Sequence, residues 1–314
     1  MRIYSRRLRS GMIDADAVPE IIASTPGRVR VDAHNAIGHL GAEAGLRAGI
    51  DQATEHFVGV AGVANSNHCG TLAYFTRQAA QQGLIALAMS TAPITMIYFG
   101  GKSRAVGTNP ISIAVPRPGA APVVVDMATS ATARGKIILA NQLGHEIPEG
   151  WAVDVEGRPT TDAAAALEGS VVPFGGAKGS GLAMMVDLLA GAMVAGLTGS
   201  DIGDMYEDFH RTQRVSHLFI VLDPDGWVGR DVFADHMRAF VERFDALLPA
   251  DGVPRLLLPG EPEQDRFERA QTEGVLLADA VATDLDRLAD EVGVARHLVP
   301  LVSSPPDQGS GTPA

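Results

Sequence analysis

Residues 58–82 constrain the fold more than any other stretch. An apolar run at 58–64 is followed by Asn65-Ser66-Asn67-His68-Cys69-Gly70, and helical spacing runs from Thr71 to Gln82. A short apolar run bounded by turn residues reads as a buried strand. A histidine therefore stands at a strand-to-helix turn. In open α/β sheets the carboxyl ends of strands are where ligands bind, and a histidine exchanges protons near neutral pH.

The same alternation continues along the chain. Residues 40–57 have helical spacing, with Leu46, Ile50, Ala53 and Phe57 on one side. Strands are expected at 84–89, 111–115, 123–125 and 218–223, and residues 31–38 read as a short strand or loop. Helices are expected at 129–141, 181–197, 232–247 and 275–293. Residues 1–30 read as a basic start and a Pro-punctuated link, and 142–165 as turn-rich. The stretch 181–197 is apolar, but it is shorter than a usual span and carries Asp187 in its middle, so a buried helix is expected there. Gly191 and Gly196 would let it pack closely. A βα alternation implies the α/β class with a mostly parallel or mixed sheet. No G-x-G-x-x-G follows the first strand, so a dinucleotide would not bind in the Rossmann manner.

Charge and cysteine content narrow the function. The net charge of −12 argues against nucleic acid or an anionic membrane as partner. One cysteine cannot build a disulfide framework or a zinc cluster and fits a reducing compartment. Residues 1–11 are basic without an apolar core, which implies no signal peptide. His34 and His39 lack metal-ligand spacing, and His145-Glu146 lacks the second histidine of a zincin, so no metal is expected.

Four places carry candidate chemistry. His68 at a helix N-terminus would be kept neutral by the helix dipole; it could take a proton from a hydroxyl, orient a cofactor amide, or merely cap the helix. Cys69 could be a nucleophile if its pKa were depressed; a small buried residue is the blander reading. Gly175-Gly176-Ala177-Lys178-Gly179-Ser180-Gly181 reads as a glycine-rich loop opening a helix. Its backbone N–H groups and the Lys178 charge suit a phosphate or carboxylate, although it lacks the G-K-[ST] of a Walker loop, and close packing alone would also explain the glycines. Asp126-Met127-Ala128-Thr129-Ser130 ends a strand: Asp126 could accept from ribose hydroxyls, and Thr129 and Ser130 are suited to capping. Lys136 could meet a substrate carboxylate or lie on a solvated face.

Taken in order, these segments resemble the type 2 malate/L-lactate dehydrogenases, a family that includes ureidoglycolate and sulfolactate dehydrogenases, diketogulonate reductase and piperideine-carboxylate reductase. The matching motifs are VDAHNAIGH (31–39), NSNHCG (65–70), FGG (99–101), GTNP (107–110), DMATS (126–130), GK (135–136), IPEGWAVDVEGRPTTD (147–162), GGAKGSGL (175–182) and PGE (259–261). The resemblance implies NAD- or NADP-dependent interconversion of 2-hydroxy and 2-oxo acids in cytoplasmic homodimers. It implies a non-Rossmann, mixed-sheet α/β cofactor domain of the sulfolactate dehydrogenase-like type with helical flanking parts. By it, His68 falls on a histidine that is proton acceptor or cofactor contact in different members. His68, Cys69, Gly70, Thr71 and Leu72, then Asp126, Met127, Ala128 and Thr129, then Lys178, then Pro259, Gly260 and Glu261 fall where members contact the cofactor.

On this basis residues 1–60 form an N-terminal remnant and part of the substrate domain. Residues 61–200 form the cofactor-binding α/β domain, 201–302 a C-terminal strand and helical part, and 303–314 a disordered tail. Two departures stand out. Members normally carry a Ser-His-Gly motif and a following arginine just upstream of the segment matched by Arg2-Ile3-Tyr4-Ser5-Arg6-Arg7-Leu8. The alternative expectation is therefore a truncated, weakly active or inactive member that still folds and binds cofactor. Arg214-Val215-Ser216-His217 stands where relatives usually show a glycine.

Overall fold

The structure is a computed structural model that describes residues 2–294, so the tail expected at 303–314 lies outside the described residues. Among the described residues two compact units are present, one of residues 3–261 and one of Arg2 with 262–294. In the smaller unit α8 (Glu261–Glu273) precedes α9 (Asp279–Val292). Arg2 pairs there with Asp284 and, at 3.0 Å, with Glu291.

The larger unit takes α1 (Arg2–Arg9) from Ile3 onward, then β1 (Glu20–Thr25) and β2 (Arg28–Asp32). The basic start is thus a helix, and the link is a hairpin turning at Pro26-Gly27. Next come α2 (Gly38–His56), β3 (Val58–Ser66), α3 (Ala73–Gln81), β4 (Ile85–Ser90), β5 (Ile94–Met96), β6 (Val106–Gly107), β7 (Ile111–Val115) and β8 (Val123–Met127). The chain continues through α4 (Arg134–Leu143), β9 (Ala152–Val153), β10 (Pro159–Thr160), α5 (Ala163–Glu168) and β11 (Ser170–Val171). It ends with α6 (Ala177–Val186), β12 (Val215–Leu222) and α7 (Arg230–Asp245).

The main sheet has seven strands in the order β1-β2-β3-β12-β4-β7-β8, and a second has five in the order β10-β9-β11-β5-β6. Only β2 and β3 run parallel in the main sheet; the other pairs are antiparallel. The sheet is therefore mixed, as expected, but its parallel share is small. The reason is β12, which inserts between β3 and β4 and runs against both.

Alternation along β12 serves two layers at once, because successive side chains point to opposite faces. Phe219 and Val221 face α2 and α3 within one core cluster that also holds Leu46, Val63, Leu72 and Phe75. Leu218 and Ile220 face the other way, against Val186, Ala190 and Val194. The smaller sheet packs its own core around Met96, Ile137, Ala152 and Ala183.

Two expected elements differ. The helix expected from 129 starts at Arg134, because Ser130 bridges to Pro173 and the Ala131 N–H donates to the Val172 carbonyl, which takes residues 129–131 out of helical geometry. The long apolar helix is broken by a π-helical turn at Asp187–Gly191 and a 3₁₀ turn at Ala192–Val194. It is also not buried all round: Val186, Ala190 and Val194 face inward, while Leu182, Met185, Leu189 and Met193 are exposed. At the π turn the buried Asp187 accepts from Asn109 Nδ2 (2.9 Å) and Gly199 N–H (3.1 Å). Gly196 packs tightly as expected, since a Cβ there would sit 1.8 Å from Ser216 Oγ.

Phe219, fully buried at the centre of the larger cluster, should be the costliest of these side chains to truncate. Phe219→Ala should lower stability by about 3–5 kcal/mol in urea unfolding monitored by circular dichroism.

Candidate functional site

The site grows from the C-terminal end of β3. Asn65 takes a positive φ of 55° and donates through Nδ2 to Asp32 Oδ2 at 2.9 Å. Asn67 is fully buried, and its amide nitrogen donates to the carbonyls of Asn35 (3.2 Å) and Ala36 (2.9 Å). These bonds tie the turn to the segment leading into α2. Gly38 opens that helix directly under the turn: a Cβ there would lie 2.0 Å from the Asn67 carbonyl oxygen and 2.4 Å from that of His68. Real Cβ atoms do not approach that closely, so only glycine fits.

His68 emerges from this scaffold with an open face to solvent. Its Nδ1 lies 2.5 Å from the Tyr4 hydroxyl of α1, and the Gly70 N–H approaches the same nitrogen at 3.4 Å. The Tyr4 ring centroid is 5.6 Å from that of His39 and 6.0 Å from that of His68. Desolvation by the packed walls, helped by His39, lowers the His68 pKa from its ordinary value. The charged form of the ring is thus disfavoured by its surroundings and not by a helix dipole, since α3 begins only at Ala73. Burial also keeps Tyr4 a phenol, its pKa pushed up to about 12.

Tyr4 and His39 are the members of this cluster that sequence reasoning missed. Both are distant from His68 in the chain, and although His39 closes the motif at 31–39 and Tyr4 lies in the matched segment 2–8, nothing local to either points to His68. Helix α1 is held in place by Arg7, which is fully buried. Its Nη1 donates to the carbonyls of Asp204 (3.0 Å), Met205 (3.1 Å) and Asp208 (2.9 Å).

Cys69 resolves to its blander reading. Its side chain is 4% exposed, and burial pushes the thiol up to about 12. A thiol in that state is a poor nucleophile. Leu72 is likewise buried in the core, so both residues could meet a ligand only through backbone. Thr71 and Asp126 meet: the Thr71 hydroxyl and the Ala73 N–H (2.9 Å) both donate to Asp126 Oδ2. Asp126 on β8 therefore satisfies the first turn of α3, where the helix dipole favours a carboxylate, and it remains exposed along with Met127.

Thr129 is fully buried and caps no helix. Its N–H (2.9 Å) and hydroxyl (3.0 Å) both donate to the Thr108 carbonyl. The Phe174 N–H donates to the Thr129 carbonyl at 3.1 Å, which links β8 to the start of α6. Ala128 lies between, half-buried.

The expected glycine-rich loop is mostly helix. Only Gly175 and Gly176 form the turn, at φ of 54° and 61°, values natural to glycine. Gly179 is instead a packing glycine, since a Cβ would sit 2.4 Å from the Phe174 carbonyl oxygen. Lys178 lies exposed in the first turn of α6, and its ammonium has no salt-bridge partner among the described residues. Beside the turn is a cavity of about 510 Å³ lined by Phe99, Gly100, Gly101, Pro173, Gly175 and Gly176.

Pro259, Gly260 and Glu261 lie along β8, where the Val124 N–H donates to the Pro259 carbonyl at 2.9 Å. Burial opposes ionisation of Glu261. The Leu258 N–H, Arg117 (3.1 Å) and Arg255 (3.0 Å) outweigh it and hold the carboxyl below the usual range. This carboxylate is therefore committed to stapling its own loop. Lys136 sits on α4 with its ammonium 5.9 Å from the centroid of the Trp151 ring.

The Cys69 thiol should resist iodoacetamide in the native protein at pH 8 and react once the chain is unfolded in urea. Mass spectrometry of the two samples checks this. For Glu261 the sign follows from its depressed pKa: the stability it contributes is present above its unfolded-state pKa and is lost as pH falls through its folded-state pKa. Glu261→Gln should accordingly flatten the acid side of the stability curve measured by thermal unfolding.

The sequence profile of the family described as Malate/L-lactate dehydrogenase matches residues 1–286. The (2R)-3-sulfolactate dehydrogenase (NADP(+)) of Chromohalobacter salexigens is 39% identical over 288 residues, covering 90% of this chain and 82% of that protein. The ureidoglycolate dehydrogenase (NAD(+)) of Escherichia coli strain K12 is 31% identical, covering 88% and 79%. Sulfolactate dehydrogenase from Methanocaldococcus jannaschii superposes with a TM-score of 0.84 at 31% identity, covering 93% and 83%.

Proposed function

The chain belongs to the malate/L-lactate dehydrogenase family of NAD(P)-dependent oxidoreductases, and from that premise we propose that His68 is its proton-transfer residue, acting on a small 2-hydroxy acid and its 2-oxo acid. The observation that carries this reading is the Tyr4–His68 pair. A neutral imidazole with one nitrogen held by a phenol keeps its other nitrogen, Nε2, for a substrate. A phenol hydroxyl both donates and accepts. When it accepts from Nδ1–H, Nε2 is bare and takes the proton of a substrate hydroxyl. When it donates to Nδ1, Nε2–H can hold a carbonyl oxygen. One pair thus serves both directions of the reaction.

The bound nicotinamide supplies the hydride acceptor or donor. The residues present fit such a cofactor: an uncommitted lysine at a helix start beside a cavity suits a phosphate. In this reading Lys178 meets a phosphate. Residues 68–72 and 126–129 line the cofactor, with Cys69 and Leu72 contributing backbone only. Pro259, Gly260 and Glu261 form a wall whose shape Arg117 and Arg255 maintain. Lys136 is the weaker candidate for the substrate carboxylate, because its ammonium already faces Trp151. The alternative of a weakly active remnant draws no support from the comparisons.

The same reading includes a homodimer in the cytoplasm, with a small acid as substrate and no nucleic-acid or membrane partner. The outer face of residues 182–193 supports the dimer. Leu182, Met185, Leu189 and Met193 expose a continuous apolar stripe, and such stripes mark association surfaces.

Fluorescence titration with NADH and with NADPH should give saturable binding for at least one of them; saturation by neither would remove the cofactor assignment. Lys178→Ala should weaken that binding by about 1–3 kcal/mol. His68→Ala should slow turnover by roughly 10²–10⁴-fold. Oxidation should hold its rate at pH 7 and lose it only as pH drops below the ordinary histidine range, where the ring takes up a proton. Sedimentation velocity should find a dimer, and a monomer at every concentration would contradict the association surface.

A further inference from the structure

We propose that Gln213 is a positioning residue for His68, fixing the imidazole by accepting the His68 backbone N–H. The proposal rests on the proton-transfer role given to His68 above. Gln213 is 1% exposed, and its Oε1 lies 3.2 Å from His68 N. Nothing in the local sequence joins the two, since 145 residues separate them.

The backbone of Gln213 is itself held in place. Its carbonyl accepts from the Gly203 N–H at 3.0 Å, and a Cβ on Gly203 would lie 3.1 Å from the Gln213 Cα. The chain just beyond Gly203 is the segment clamped by Arg7 through the carbonyls of Asp204, Met205 and Asp208. Four residues after Gln213, the fully buried His217 reaches the other side of the same turn. Its Nε2 is 2.9 Å from Ser66 Oγ, and its Nδ1 is 2.9 Å from Ser90 Oγ. Burial drives the His217 pKa down to about 3, so this bridge stays neutral.

The turn is thus gripped at Ser66 and at His68 from β12 and its lead-in. An amide acceptor is well suited to the second grip. It satisfies an N–H that would otherwise be stranded at the ring's own residue, and it adds no charge beside an imidazole that must change protonation. The groups facing His68 are Tyr4 from α1, His39 from α2 and His217 from β12, with Cys69 adjacent and Asp126 of β8 reaching the turn at Thr71. Of these, Tyr4 and His39 act on the ring only while its orientation is kept.

Gln213→Met keeps the size of the side chain and removes the acceptor. Gln213→Glu keeps the acceptor. Two readouts are compared across wild type and both variants: the pH titration of the His68 ring by NMR in the ligand-free protein, and single-turnover oxidation of a 2-hydroxy acid. In Gln213→Met the ring is freed from its desolvating walls and from His39, so its titration midpoint should move up towards the ordinary histidine value. Turnover should fall by about tenfold or more, the loss expected when one hydrogen bond to a reacting group is misplaced. NADH or NADPH affinity should stay within about twofold of wild type, by contrast with general unfolding. Gln213→Glu should recover only part of the lost rate, because its carboxylate keeps an acceptor for the His68 N–H but brings to the imidazole the charge that the amide avoids.

A Gln213→Met protein whose His68 ring titrates as in wild type overturns the proposal, whatever its activity. A moved midpoint together with an undiminished rate in His68→Ala leaves Gln213 as the positioner and removes the proton-transfer role instead. If Gln213→Met does not fold, Gln213→Asn gives the same comparison, because it withdraws the amide by one methylene.

Discussion

The insertion of β12 between β3 and β4 is the pairing on which the rest of the larger unit depends. It joins chain segments about 150 residues apart into one continuous ladder, with Phe219 opposite Ala61 on one side and Ala88 on the other. Without it, β3 would end as an edge and its turn would be held on one side only. With it, Phe219 fills the space under α2 and Leu218 seats the far layer. His217 on β12 and Gln213 in the lead-in to it both reach the His68 turn, so the main-sheet core and this histidine share one support.

The chemistry follows from this support. His68 would be an ordinary turn histidine if it were surrounded by water. Its packed walls and His39 make the charged form unfavourable, and Tyr4 engages one ring nitrogen, which in the proposed role leaves the other for a substrate. Arg7 provides the remaining constraint: a buried guanidinium bound to three carbonyls locks α1, and thereby Tyr4, in register. All three bonds come from Nη1, and breaking them would leave a buried charge without a partner, which suits a residue whose helix must not shift.

Several glycines and polar motifs prove to be geometric. Gly38 lets α2 touch the His68 turn, and Gly179 lets α6 touch the Phe174 carbonyl. Asn109 of the GTNP motif accepts from the Ala92 N–H at 2.9 Å and donates to Asp187 at the π turn. Glu261, read from the sequence as a cofactor contact, spends its carboxylate on Arg117 and Arg255. In the proposed site these residues act through the shapes they enforce.

The sequence by itself determined the elements whose signal is local. Apolar runs and helical spacing placed α2, β3, α3, β4, β7, β12 and α7 within a few residues, and the turn between β3 and α3 marked His68. Motif order pointed to the family, and the acidic balance argued against nucleic acid. Elements without an apolar period escaped: α1 is arginine-rich and held by Arg7, β1 is mostly exposed, and α8 is largely charged. Tertiary structure alone decided the antiparallel majority of the sheet, because strand partners are chosen by burial over long separations. It alone set the fate of Cys69, since a thiol's pKa depends on what surrounds it. It alone brought Tyr4, His39 and Gln213 to His68, because a hydrogen bond across 64 or 145 residues leaves no trace in local spacing.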